Sequence, residues 1–311
     1  MNRIPDRAGT AAGAVLLAGL LAGCSSQGQT FDTREAAAAA LIGAMDPEFD
    51  IDSLAVVLGA EAEEAVGSGD AVQDREHAAR FVQAYRARHA FEASDDGFTY
   101  LVIGDDDWPF AIPLTPEDDG WRWDLDAGRD ELLSRRIGAN ELDAIEVCLA
   151  IVDAQIEYAS RDRDGDGLRE YAGQIVSTLG SRDGLFWPTG PGDPPSPLGG
   201  LAAEAADEGY GEGSEPGVYH GYRYRMLTAQ SDDAPGGAQD YVVDGNMIGG
   251  FALIAWPATY GNSGIMTFIV NHDGVVYDRD LGRDSDARAR AIESFDPGDG
   301  WEPVNETPFE F

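Results

Sequence analysis

ELLSRRIGANELDAIEVCLAIVDAQIEYAS, residues 131–160, carries the strongest helical signal in the chain. Apolar residues recur at three-to-four spacing through its second half, with Ile145, Leu149, Val152 and Ile156 on one stripe, as an amphipathic helix requires. Gly138 is expected to divide the segment, because glycine inside a helix costs about 1 kcal/mol relative to alanine. The second part would then open on Asn140 as its cap, with Asp143 three residues on, close to a capping box. Cys148 falls on the apolar side with Ile145, Val152 and Ile156 and reads as a core residue instead of a nucleophile. A helix with one long apolar stripe needs a surface to bury it against.

That surface is written downstream. GYRYRML, DYVVDGN, GGFALIAWPA, GIMTFIVN and GVVYDRDLG, between residues 221 and 282, have the composition and turn spacing of strands, and NHDG at 271–274 closes a hairpin through Asp273 and Gly274. Upstream, FDTREAAAAALIGAM begins a helix capped by Asp32 or Thr33, and DREHAARFVQAYRARHAF continues the helical period. FTYLVIG, FAIPLTP and GWRWDLD then read as strands, with Trp121 and Trp123 on one face and Pro113 breaking an edge. The expected fold class is α+β in two domains. Residues 31–136 hold helices plus an antiparallel meander, and residues 137–297 hold a long helix packed on an antiparallel sheet. A short helix is expected near Tyr171 to Ser177. The Gly/Pro-rich stretch at 183–217 reads as a surface excursion where a partner could bind, and residues 298–311 as a disordered acidic tail.

The amino end gives an address. Arg3 and Arg7 precede an apolar run from Ala11 to Gly23, which has the layout of a signal peptide and is shorter than the roughly 20 residues of a membrane span. Leu21, Ala22, Gly23 and Cys24 resemble the lipobox of bacterial lipoproteins. The resemblance implies removal of residues 1–23, lipidation of Cys24, and a polar tether over 24–30. Ser25 in place of Asp implies, by analogy with Gram-negative lipoproteins, the periplasmic face of the outer membrane. Only two cysteines occur, so loss of Cys24 to lipid leaves Cys148 without an intramolecular disulfide partner.

The formal net charge is −36, and all 21 basic residues are arginine. Such a surface repels nucleic acid and anionic headgroups. The acids are scattered, which fits a high-GC, salt-adapted source more simply than a dedicated cation-binding face.

One loop invites a metal. In RDRDGDGLREY, residues 161–171, Asp162, Asp164, Asp166 and the carbonyl of Leu168 occupy positions 1, 3, 5 and 7 of a calcium loop, Gly167 supplies the sharp turn, and Glu170 stands at position 9. Position 12, which should be a bidentate glutamate, is Gly173. Arg161, Arg163 and Arg169 lower the local negative charge, and Glu157 or Asp183 would have to substitute. Calcium is the one cofactor implied, set against a solvated Asp/Gly connection between helices. The four histidines, His77, His89, His220 and His272, show no metal-ligand spacing. His220, flanked by Tyr219 and Tyr222, reads as a strand-start histidine bonded to backbone. Ser263 in YGNSGI approaches a nucleophile elbow, but Ile265 stands where the second glycine belongs.

WPFAIPL, GWRWDLDAG, RRIGANELDAI, SRDGLFWP, SPLGGL, YHGYRYRMLTAQ and MIGGFALIAWPATYGNSGIMTFIVNHDGVVYDRDLG together resemble the bacterial envelope family catalogued as domain of unknown function 2950, over residues 31–297. The resemblance implies an envelope location and brings no activity with it. The N-terminal pattern is similar to the nuclear-transport-factor-like fold. The long helix, variable loop and meander look like a type IV pilin-like headgroup, although a lipobox and a separate domain precede the helix here, so polymerisation by the pilin route is not implied. The combined expectation is a membrane-anchored cell-envelope lipoprotein, a non-catalytic binding or scaffolding module whose partners are the membrane, through its lipid, and an envelope protein, but no nucleic acid. Two alternatives stand beside it: an envelope hydrolase acting on wall or glycan material through a carboxylate pair in an inter-domain cleft, and an accessory subunit of a pilus- or secretion-like assembly.

Overall fold

The computed structural model describes residues 27–163, 165–190, 192–210 and 217–304. The signal segment, Cys24 and Asp164 lie outside the described residues, as do positions 305–311 of the expected tail. The fold is α+β and its principal sheets are antiparallel.

The first lobe opens with α1 (Arg34–Gly43), where Thr33 Oγ1 accepts the Ala36 N–H at 3.0 Å as a cap. There follow α2 (Ile51–Leu58), α3 (Ala62–Val66) and α4 (Ala71–Ala87). A five-stranded sheet comes next, from β1 (His89–Ala93), β2 (Thr99–Ile103), β3 (Trp108–Pro109), β4 (Leu114–Glu117) and β5 (Gly120–Trp123), in the order β1-β2-β4-β5 with β3 also on β2. Leu41, Leu54, Leu101, Ile112, Leu114 and Trp123 are fully buried between helices and sheet. Each such side chain contributes about 1.5–3 kcal/mol through burial. The indole of Trp123 also finds a partner, donating to Ala37 O at 3.2 Å.

Helix α5 (Leu125–Ala159) leaves this lobe and crosses into the next. Asp124 caps it, its Oδ1 accepting the Ala127 N–H at 3.1 Å, and its 35 residues span about 50 Å. The second lobe contains β6 (Gln174–Val176), β7 (Gly184–Phe186), α6 (Gly199–Glu208), β8 (Val218–Tyr219), β9 (Tyr222–Leu227), β10 (Ala229–Gln230), β11 (Gln239–Asp240), β12 (Val242–Val243), β13 (Asn246–Met247), β14 (Ala252–Pro257), β15 (Met266–Asn271), β16 (Val276–Asp280), α7 (Ser285–Ala291) and β17 (Glu302–Pro303). Its main sheet runs β17-β16-β15-β14-β9-β8, antiparallel throughout. Every residue of β14 is buried. That explains why FALIAWP reads as a continuous apolar run: a strand covered on both sides has no polar face to alternate with.

Several expectations are corrected. Gly138 does not divide the helix; α5 runs through it unbroken. The buried stripe of α5 is Ala144, Val147, Cys148, Ile151, Val152, Ala154 and Tyr158; of the expected stripe Val152 is buried and Ile145 packs against the core, whereas Leu149 and Ile156 are 41% and 58% exposed. On that face Ala144, Cys148 and Ala154 alternate with Val147, Ile151 and Tyr158, and the small residues let the backbones approach. Cys148 is indeed fully buried, and burial pushes its thiol up to about 12. The segment expected as a short helix near Tyr171 to Ser177 is instead extended, with β6 pairing in parallel with β7. Residues 27–30 are not free tether: Gln27 bridges to Gly59, and the Gln29 N–H donates to Val56 O. Part of the expected tail is structured, because β17 pairs with β16 and Trp301 packs against the core.

Candidate functional site

Polar side chains converge where the two lobes meet. Arg136, only 9% exposed, projects from α5 toward the C-terminal end of α3. Its guanidinium donates to Ala65 O at 2.6 Å, Val66 O at 2.7 Å and Gly67 O at 3.1 Å, and to Asn262 Oδ1 at 2.5 Å. The last carbonyls of a helix have no intrahelical partner, and a cation is the favoured cap for them. One turn further along α5, Asn140 is fully buried. It accepts from Gln73 Nε2 at 2.8 Å and donates to Ser263 O at 2.9 Å. Asn140 is therefore no helix cap; it links α4, α5 and the 259–263 loop. Gly221 (φ +72°) sits against it, and a Cβ there would lie 2.6 Å from Asn140 Nδ2.

Beside this seam stands His220. It forms with Gly221 the two-residue turn of the β8–β9 hairpin, and both have positive φ, 49° and 72°, as a type I′ turn demands. The ring is not bonded to backbone as expected. Nδ1 lies 2.8 Å from Asp143 Oδ2 on α5, and Nε2 lies 3.0 Å from Glu208 Oε2 at the end of α6. The His220 N–H donates to Tyr210 Oη at 3.2 Å, and that hydroxyl donates to Asp70 Oδ2 at 2.7 Å. Asp70 in turn caps α4 through the Val72 and Gln73 N–H groups. The rings of Tyr219 and Tyr210 flank the imidazole at 4.1 and 6.0 Å.

Burial alone would depress the His220 pKa, but the Asp143 and Glu208 carboxylates outweigh it and hold it at about 9. The ring is thus an imidazolium at neutral pH, donating from both nitrogens. Burial and the neighbouring acids raise the Tyr210 and Tyr219 phenols, so both stay neutral.

Two clefts flank this region. An open trough of about 840 Å³ runs between α4 and α6, lined by Arg75, Glu76, Glu204, Asp207 and Glu208 among others. A second, of about 710 Å³, lies between the lobes and is lined by Phe49, Ile51, Glu64, Asp74, Arg129 and Leu133, with Asn262 at its rim. Burial raises the Asp74 carboxyl above the usual range, although it accepts the Ser68 N–H at 3.1 and 3.2 Å.

The residues singled out in the sequence fall elsewhere. Asp162 accepts the Gly165 and Gly167 N–H groups at 2.7 and 3.0 Å, and Asp166 accepts that of Leu168 at 2.7 Å while Asn246 Nδ2 approaches it at 3.3 Å. Leu168 is exposed and Glu170 half-buried. Among the described residues no group of three His, Cys, Asp or Glu is placed to hold a metal ion. Ser263 is buried and bonded to Thr259, with its Oγ accepting the Thr259 N–H at 3.0 Å. His77 is exposed, His89 stacks on Tyr85, and His272 packs edge-on to Tyr241. The tyrosines flanking His220 were the only local hint of the cluster; Asp143 and Glu208 gave none.

A family model described as "Protein of unknown function (DUF2950)" matches residues 28–304. No curated protein and no solved structure matches the chain.

Proposed function

Because the chain belongs to the DUF2950 family of proteins of unknown function, its role has to be argued from its own geometry, and we propose a membrane-anchored cell-envelope lipoprotein that works as a non-catalytic binding or scaffolding module. The observation that carries the non-catalytic part is the state of His220. A general base needs a free lone pair and a pKa near the working pH. His220 has both nitrogens committed to carboxylates and a pKa of about 9. It works as a fastener, drawing α6 and Tyr210 of the Gly/Pro-rich excursion onto α5 and α4.

The anchor rests on the lipobox resemblance. Cys24 precedes Gln27 by three positions, and Gln27 already bridges to Gly59. A lipid on Cys24 would hold the first lobe within about 10 Å of the bilayer, given roughly 3.5 Å per extended residue. Ser25 supports the periplasmic face of a Gram-negative outer membrane. The test is Cys24→Ser: processing and membrane fractionation should both be lost, and retention of both would remove the anchor from the proposal.

A hydrolase is the second reading, and one feature favours it: Asp74, with its raised carboxyl, lines the cleft between the lobes. Release of fragments from purified cell wall by the wild type, abolished in Asp74→Asn, would replace the binding-module reading with this one. We also propose calcium as a weak ligand of the loop, with Asp162, Asp164, Asp166, the Leu168 carbonyl and Glu170 as the donors its spacing assigns. A site lacking its bidentate glutamate belongs near the millimolar end of calcium affinity. At 5 mM calcium the thermal midpoint should then rise by about 2 °C; no rise would retire the site.

A further inference from the structure

Leu142, Ile145, Leu149, Val152 and Ile156 follow one another at alternating spacings of three and four along α5. This is the a/d repeat of a coiled-coil seam. The sheet covers the other side of the helix, and the repeat is left at the surface: Leu142, Leu149 and Ile156 are 40%, 41% and 58% exposed, Ile145 is partly buried, and only Val152 is covered. Val152 is covered by the β15–β16 turn, where a Cβ on Gly274 would touch its Cγ1 at 3.9 Å; the neighbouring Val275 is 42% exposed and extends the apolar strip. Exposed apolar residues scattered singly need no explanation, but Leu142, Leu149 and Ile156, aligned seven residues apart on one helix face with Ile145 and Val152 between them, do.

The long edge of the strip away from the turn is acidic. Glu146 and Asp153 are exposed along it, with Glu157 beyond them. Between Arg136 and Arg161 the helix carries no basic residue at all. A second copy of this chain would set one acidic edge against another, in a molecule of net charge −36, and like charges across a seam specify against pairing. An anionic bilayer is disfavoured by the same charges. What fits is the opposite pattern.

We propose that the outward face of α5 docks an amphipathic helix of a partner protein, with apolar residues at heptad spacing and Arg or Lys along one flank. From Leu142 to Ile156 the seam is about 21 Å long at 1.5 Å per residue, so the partner segment needs about 15 residues. The proposal deepens the binding-module reading by assigning it a surface. It uses neither the clefts nor the His220 fastener, so it can fail without them.

The experiment uses the full chain, solubilised in detergent, and fluorescently labelled 18-residue probe peptides. One probe carries leucine at the a and d positions with arginine flanks, and the other has the same seam with glutamate flanks. The arginine probe should bind and weaken at least tenfold as salt rises from 50 to 500 mM, and the glutamate probe should not bind. Leu149→Ser with Ile156→Ser should cut affinity at least tenfold, and Glu146→Gln with Asp153→Asn several-fold, both with the thermal midpoint within about 4 °C of wild type. Equal binding by wild type and the Leu149/Ile156 variant would overturn the proposal. So would a wild-type dimer in sedimentation that the same variant dissolves, which would make a second copy the occupant. Binding to phosphatidylglycerol vesicles that the variant loses would overturn it in favour of lipid. If no probe binds while Cys24→Ser still releases the protein from membranes, the docking surface falls and the anchored module stands.

Discussion

The two faces of α5 both carry large apolar residues, but only one of them is covered. Inward, toward β14, β15 and β16, stand Ala144, Val147, Cys148, Ile151, Val152, Ala154 and Tyr158, with Asn140 and Gln155 buried among them. Both amides are satisfied, Gln155 by Ala172 through its N–H and C=O at 2.8 Å each. Outward stand Leu142, Leu149 and Ile156, with Ile145 half-buried at the boundary between the faces. A helix laid across a sheet gains most when small side chains let the backbones close up, because dispersion falls steeply with separation. On α5 the stripe most visible in the sequence is covered along one edge only, at Val152 and Ile145, and leaves Leu149 and Ile156 exposed.

Paired truncations break this comparison most sharply. Ile151→Ala, on the covered face, should lose about 3 kcal/mol, which in a chain of this size lowers the thermal midpoint by about 6–12 °C. Leu149→Ala, on the outward face, should stay within about 0.5 kcal/mol of wild type. Chemical denaturation of both variants checks the pair, and equal losses would mean that α5 is covered on both sides.

The architecture was largely legible because it rests on local signals. The Thr33 cap, the helix containing Ala78 and Val82, the NHDG hairpin and the continuous run of β14 are each set by residues a few positions apart. The fastener and the polar junction between the lobes were not legible. Asp143 lies 77 positions from His220, and Arg136 lies 126 from Asn262, so no window of sequence contains both partners. Asn140 was misread for the same reason. Its type and position suit a helix cap, and only the approach of Gln73 and Ser263 gives its amide another use. Calcium-loop spacing, by contrast, was plain in the sequence, because its residues are local; the same local spacing lets Asp162 and Asp166 accept Asx-type bonds from the loop's own backbone.

His220 sharpens the comparison next, because its partner Asp143 also stands on α5 yet belongs to neither apolar stripe. The folded-state pKa of about 9 lies above the ordinary histidine value near 6.5. The stabilisation is therefore complete below about pH 6.5 and is lost progressively as pH rises through 9. The shift corresponds to about 2 kcal/mol once partial exposure is allowed for. His220→Gln should flatten this part of the stability profile, so that the gap between wild type and variant closes between pH 6.5 and 9.5. A gap independent of pH would mean that the ring acts by packing alone.

The smallest expected effect has the opposite sign. Two glycines on α5 differ in what surrounds them. At Gly128 a Cβ would lie 2.5 Å from Ile112 Cα, and the missing side chain is what lets the helix reach the first lobe. At Gly138 nothing lies within 4 Å of a Cβ, so the glycine answers no packing need and only loosens the unfolded chain. Gly138→Ala should stabilise the protein by about 0.5–1 kcal/mol, through helix propensity and a less flexible unfolded state. The thermal midpoint should rise by about 1–4 °C. A fall would show that α5 must bend between its docking sites on the two lobes, and the position that reads in sequence as a helix boundary would then be a hinge inside a continuous helix.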